Sequence, residues 1–339
     1  MDSFEGVGVM FNSYGFVVVG GIPEPVGGVT TFIYRLARRG SCQVESVFDM
    51  YPGENKKDIS PVKHIYAPCF SLLFLFRFLF LNKSDVYFNF SGAMGLVLLL
   101  LLPKVGRVNW FLTLHNGGIE ERIKKSRLLH FLARLGAKKV DRFGYLSTSQ
   151  ERAYASLGVE SNRLVRIESF IPVNQSDVDE VDPFLFPEIQ SFIKNETPYF
   201  VISGYPTKIY QHLEVFDRFE RLWDAGVNVK LIGFFYGDDS DDLLTIIKMR
   251  FEKSDNAFFY WGVDSEKFLS VLSKASGYLR MNTVDSYGVA VAEAVTLGVP
   301  CVATDVCERF PGAYIVSPDD IDGAVGFLLR YIRNGSIVV

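Results

Sequence analysis

The stretch that decides the fold is residues 278–305, YLRMNTVDSYGVAVAEAVTLGVPCVATD. It begins in a short strand, 277–280, and runs through Ser286, Tyr287 and Gly288, which read as the entry to a helix. Gly298 and Pro300 stop that helix, and an apolar strand follows at 301–303. Asp285 stands at the helix entrance and Glu293 lies eight residues on. Counted at helical rise, Glu293 is about 12 Å, roughly two turns, further along the axis, with its side chain leaning back toward the N-terminus. A helix N-terminus carries partial positive charge and unpaired N–H groups, so it suits phosphate or sugar hydroxyls. Two acids spaced this way suit the two hydroxyl-bearing ends of a ligand with a diphosphate between them.

Outward from this segment, short apolar runs alternate with helical stretches. Strands read at 15–21, 86–90, 108–114 and 143–146, with helices at 29–39, from 93 and to 157, and a basic helical region at 119–139. The pattern breaks around 171–197, which holds Pro172, Pro183 and Pro187 and the acidic run DVDEVD. It restarts with strands at 199–203, 229–232, 258–261 and 277–280 and helices at 211–225, 241–253 and 265–274. Such alternation predicts parallel sheets covered by helices on both faces, an α/β class. The organisation predicted is a first domain at 1–172, a connection at 173–198 and a second domain at 199–339. Ligands of such sheets bind at the C-terminal ends of the strands.

The 278–305 segment resembles the donor-site motif of retaining GT-B glycosyltransferases, in particular glycosyltransferase family 4 of the polysaccharide-assembly type. That family carries an acid, seven residues, then Glu-Ala, followed by Gly-x-Pro; Glu293, Ala294, Gly298 and Pro300 match, and Asp285 stands where Glu is commoner. The resemblance implies two Rossmann-like domains whose sheets face a central cleft. It implies that Glu293 binds the ribose hydroxyls and Asp285 the donor sugar. The N–H groups of Tyr287, Gly288 and Val289, next to Ser286, would hold the sugar or the β-phosphate.

Three further landmarks fall in family order. Gly27 and Gly28 open the first helix and are similar to the paired glycines that face donor phosphate and acceptor; they also suit a plain turn. His115, at the end of the strand at 108–114, resembles the cleft histidine that contacts the donor sugar; a structural role is its alternative. Gly204 opens the second domain, but Tyr205 replaces the family's arginine and Lys208 is only four residues after the glycine. Lys208 and Arg280 are then the candidate cations for the leaving diphosphate.

Composition sets the remaining bounds. The 339 residues are 48% hydrophobic and 22% charged, enough for two globular domains. Residues 1–172 carry 21 Lys/Arg against 14 Asp/Glu, a net of +7, and residues 173–339 carry 14 against 25, a net of −11. The cluster of Lys and Arg at 122–142 would attract an anionic lipid surface or form a solvated helical face. Two apolar runs, 69–81 (CFSLLFLFRFLFL) and 93–103 (AMGLVLLLLLP), are shorter than the roughly 18–20 residues that span a bilayer. The first suits a core helix or one lying at a membrane surface; the second suits a buried helix on a sheet. Cys42, Cys69, Cys301 and Cys307 form no CxxC pair and read as reduced residues of a cytoplasmic protein, and the first residues read as no signal peptide. No nucleic-acid module is visible.

Aspartate pairs occur at 177/179, 239/241 and 319/320, all in polar loops, so no metal site and no cofactor are expected. The function implied is transfer of a hexose or N-acetylhexosamine from a nucleotide sugar, UDP-linked, to a glycan or lipid-linked glycan, at the cytoplasmic side of the membrane. A catalytically weak GT-B scaffold subunit is the rival, motivated by Asp285 and Tyr205, and a UDP-sugar epimerase the third option.

Overall fold

In the computed structural model the described residues are 15–23, 28–39, 43–51, 53, 56–66, 76, 78–79, 85–104, 108–115, 119–168, 170–172, 187–193, 197–237, 239, 241–262, 265–285 and 287–334. They form two compact units, Met1–Ile171 and Pro172–Val339.

Among the described residues the first unit holds seven strands: β1 Phe16–Gly20, β2 Val44–Asp49, β3 Lys63–Tyr66, β4 Asp85–Phe90, β5 Trp110–Leu114, β6 Arg142–Tyr145 and β7 Leu164–Arg166. All pair in parallel, in the order β3-β2-β1-β4-β5-β6-β7. Side chains alternate between two cores: Val17 and Val19 join one, Phe16 and Val18 the other. Burial on both faces is why these strands read as unbroken apolar runs. The helices are α1 Gly28–Arg38, α2 Met94–Leu101, α3 Ile119–Lys125, α4 Arg127–Ala137 and α5 Thr148–Ser156.

The basic helical region at 119–139 is made of two helices. Ser126 adopts extended backbone between them, and its hydroxyl accepts from the Leu129 N–H as the N-cap of α4. The second apolar run forms α2, but it is buried only on one side. Leu96, Leu98 and Leu99 face the sheet, whereas Met94 is 65% and Leu101 62% exposed. Of the first apolar run, only Phe76, Phe78 and Leu79 are described; Phe78 packs against Phe88 and Trp110.

The second unit holds β8 Tyr199–Gly204, β9 Lys230–Phe235, β10 Ala257–Trp261, β11 Gly277–Arg280, β12 Cys301–Thr304 and β13 Tyr314–Val316. This sheet is also parallel, in the order β10-β9-β8-β11-β12-β13. Its helices are α6 Pro187–Ile193, α7 His212–Asp224, α8 Leu244–Glu252, α9 Ser265–Ser273, α10 Val289–Thr296 and α11 Ile321–Asn334. Helix α6 lies within the stretch read as a connection, yet Ile189 and Ile193 belong to a core of this unit; residues 173–186 lie outside the described residues.

In both sheets the chain builds outward on one side of its first strand, then crosses to the other. The switch points are the gap between β1 and β4 and the gap between β8 and β11. At such a point the loops after neighbouring strands part in opposite directions and leave a crevice at the strand C-terminal ends.

Candidate functional site

At the switch point of the second sheet, β8 ends in Ser203 and Gly204 and β11 ends in Arg280. The Arg280 guanidinium crosses the gap, with Nη1 donating to the Ser203 carbonyl at 3.3 Å. It lies over the Tyr210 ring, 4.8 Å from the centroid. Gly204 has φ of 151°, and a Cβ there would fall 2.0 Å from that ring, so the strand end and the ring meet only across a glycine.

Asp285 is the centre of the network. Arg280 donates to it through Nε at 3.0 Å to Oδ2 and through Nη2 at 3.3 Å to Oδ1. Arg309 donates through Nη1 to Oδ2 at 2.7 Å. All three side chains are buried, 8% exposed or less. Burial alone would push the carboxyl up, but the charges of Arg280 and then Arg309 outweigh it and hold it at about 2. Arg309 also donates to the carbonyls of Tyr287 and Thr304 and to Thr304 Oγ1, and Thr304 Oγ1 donates to the Asn282 carbonyl. The loop is therefore held at Asn282 by the Thr304 hydroxyl and at Asp285 and Tyr287 by buried arginines.

That loop delivers the chain to α10. Gly288 precedes the helix with φ 78° and ψ 73°, a conformation costly for residues with a Cβ. The helix starts only at Val289, so the eight residues from Asp285 to Glu293 are not continuous helix and the 12 Å separation expected from helical rise does not apply. Glu293 lies in the second turn and is 7% exposed, buried with Val291, Ala292 and Ala294.

Of the predicted site residues, Gly204, Arg280, Asp285, Tyr287 and Gly288 come together here, with Val289 and Glu293 on the helix that follows. Lys208 is exposed in a single 3-10 turn, Lys208–Tyr210, whose first N–H donates to Asp241 Oδ2 at 2.7 Å. Gly27 and Ser286 lie outside the described residues. Arg309, Tyr210 and Thr304 are the residues that sequence reasoning missed. Thr304 had a signal, a polar residue closing an apolar strand; Arg309, 24 residues from Asp285, had none.

Gly28 and His115 belong to the first unit, at its strand C-terminal ends. Gly28 opens α1, and a Cβ there would meet nothing within 4 Å. His115 follows β5; its ring lies 5.0 Å from that of Phe32 in α1, and Nε2 is 2.9 Å from Asn89 Oδ1. Because Asn89 Nδ2 donates to the Tyr87 carbonyl, Oδ1 faces the ring and Nε2 carries the proton. Burial lowers the His115 pKa to about 4, so at neutral pH the ring is neutral, with Nδ1 as an acceptor.

Among the described residues no group of three or more His, Cys, Asp or Glu side chains is placed to hold a metal. The pair Asp239 and Asp241 caps backbone instead: Asp239 Oδ1 accepts from the N–H groups of Leu243 and Leu244 at the start of α8. Asp177 and Asp179 lie outside the described residues.

No protein-family model matches the chain, and no curated protein does. Solved structures do. HepE from Anabaena, in complex with UDP-glucose, is similar with a TM-score of 0.68 at 13% identity, over 94% of this chain and 90% of that one. The UDP-forming alpha,alpha-trehalose-phosphate synthase from Burkholderia xenovorans, in complex with glucose-6-phosphate, is similar with a TM-score of 0.67 at 12% identity, over 95% and 93%. Two parallel α/β units, their strand orders and this likeness along nearly the whole chain give the protein the GT-B fold.

Proposed function

We propose that the chain is a retaining, metal-independent glycosyltransferase of the family-4 type. It moves a hexose or N-acetylhexosamine from a UDP-sugar to a glycan or lipid-linked glycan in surface polysaccharide assembly, on the cytoplasmic side of the membrane. The observation that carries this reading is the buried carboxylate of Glu293 on a helix whose N-terminus lies beside the β8/β11 switch point. There a ribose would bind Glu293, while the diphosphate meets the unpaired N–H groups at the start of α10. Lys208 and Arg280 add positive charge where charge builds up as the diphosphate leaves. Neutral His115, with an acceptor nitrogen, suits a hydrogen bond from a sugar hydroxyl. UDP-glucose bound to HepE, a protein of the same fold, supports the donor class.

The deciding experiment is calorimetric titration of wild type and Glu293→Ala with UDP, GDP and ADP, with and without manganese. Metal-free binding of UDP that is lost in the variant is the expected result. No binding of any nucleotide would overturn it and favour the scaffold reading. Two observations favour that second reading: Asp285, the acid assigned to the sugar, is engaged by two arginines, and Tyr205 stands where the family's arginine would be.

A further inference from the structure

Helix α2, MGLVLLLL, has no polar side chain anywhere on its circumference. Its inner side packs on the first sheet, but Met94 and Leu101, seven residues apart and so on one face, point to solvent. A helix apolar all round belongs in a core or in lipid. Helix α4 packs beside it, and Lys139, just past the end of α4, ties the two: its Nζ donates to the carbonyls of Leu99, Leu100 and Leu102 at 2.8 to 3.0 Å. The outer stripe of α4 carries Leu128, 68% exposed, and Phe131, 57% exposed, between Arg127, Arg134 and Lys138, also exposed. Spacings of three and four residues put these on one face.

We propose that this outward face of α2 and α4 docks the protein on an anionic phospholipid bilayer. Large apolar side chains enter the acyl boundary while the flanking cations reach the lipid phosphates on their flexible stems. The net of +7 over residues 1–172 adds long-range attraction to such a surface. A two-fold pairing with a second copy through this face would instead set cation against cation. At eight residues α2 is about 12 Å long, far short of a hydrocarbon core of about 30 Å, and no helix among the described residues is long and apolar enough to cross a membrane. The face lies on the bilayer. The inference deepens the proposed function, since a lipid-linked acceptor is met at that surface, but it does not depend on nucleotide binding.

The test is co-sedimentation of the full chain with vesicles of phosphatidylcholine and phosphatidylglycerol in equal parts, and with phosphatidylcholine alone. Binding to the first and not the second is expected. Arg127→Gln with Lys138→Gln should weaken it about thirtyfold, from the usual worth of two cations at an anionic surface. Leu128→Ser with Phe131→Ser should weaken it at least about tenfold. Both variants replace exposed residues, so unchanged thermal unfolding and unchanged UDP titration are the controls. Failure to bind anionic vesicles, or equal binding by either double variant, would overturn the docking. A concentration-dependent dimer lost in the Leu128/Phe131 variant, without vesicle binding, would assign the face to a second copy and also overturn it. Vesicle binding by a protein that binds no nucleotide would leave the docking standing and remove the donor site alone.

Discussion

Asp285 Oδ2 accepts a hydrogen bond from Arg280 Nε at 3.0 Å and a second from Arg309 Nη1 at 2.7 Å, so one buried oxygen joins the end of β11 to the segment after β12. The carboxylate acts first as an internal counter-ion. Its two partners are 8% and 3% exposed and would be stranded without it. Breaking a buried ion pair by removing one partner leaves uncompensated charge, a cost of about 3–5 kcal/mol.

Asp285→Asn is therefore expected to destabilise the protein by about 3–5 kcal/mol, as measured by urea unfolding at neutral pH. A loss under about 1 kcal/mol, the size of an exposed pair, would refute the counter-ion role. The pH dependence has a definite sign. With the folded pKa depressed to about 2 from 3.8, the Asp285 contribution is complete above pH 3.8 and is lost as pH falls from 3.8 toward 2. The Asn variant should lack that acid limb.

Gly288 and Gly298 offer a matched pair for the same loop. Both have positive φ, 78° and 73°, but a Cβ on Gly288 would lie 2.6 Å from Arg309 Nη1, while one on Gly298 would meet nothing within 4 Å. Gly298→Ala should cost only the backbone strain, about 1–2 kcal/mol. Gly288→Ala should cost that plus displacement of the Arg309 guanidinium from Asp285, a further ~1–2 kcal/mol for a weakened charged hydrogen bond. Equal losses in urea unfolding would mean that Arg309 moves aside freely and that the clamp on the loop is loose.

How much of this was legible in the sequence depended on where each residue's partners lie along the chain. Strands such as β5 and β8 are buried at every position because both faces are covered, and their mainly apolar runs read directly. Strand β2, VESVFD, did not, because its buried Asp49 looks like a loop residue until Lys56 and His64 are seen to bond its Oδ2. Strands β7 and β13 have three residues each at sheet edges, too short for a pattern. At the site, the helix entry and Glu293 were local and legible. The partners of Asp285 were not, since a carboxylate at a helix entrance suits a sugar hydroxyl as well as a guanidinium brought in from residue 309. The outer face of α2 failed for a related reason: an apolar run predicts burial, but only the packing reveals which side remains uncovered.

Two histidines set a separate acid response in each unit. His115 in the first unit is neutral because burial lowers its pKa to about 4. His212 in the second is lowered to about 3, by burial first and then by the Arg280 charge, although its Nε2–H donates to the Tyr205 carbonyl at 3.1 Å. In the unfolded chain each would take up a proton near pH 6.5, so below that pH the unfolded state binds more protons and is favoured. Stability should therefore fall as pH drops from about 6.5 to about 4 in the first unit and to about 3 in the second, by about 1.4 kcal/mol per pH unit, which is about 3 kcal/mol for His115 and about 5 kcal/mol for His212. The check is urea unfolding at stepped pH for wild type, His115→Gln and His212→Gln, with glutamine keeping a donor in place of Nε2–H. Each variant should flatten the acid limb of its own unit while Asp285 continues to govern the region below pH 3.8. Identical slopes in wild type and variants between pH 6.5 and 4 would mean that the two rings are protonated in the fold, and His115 could not then offer Nδ1 as an acceptor.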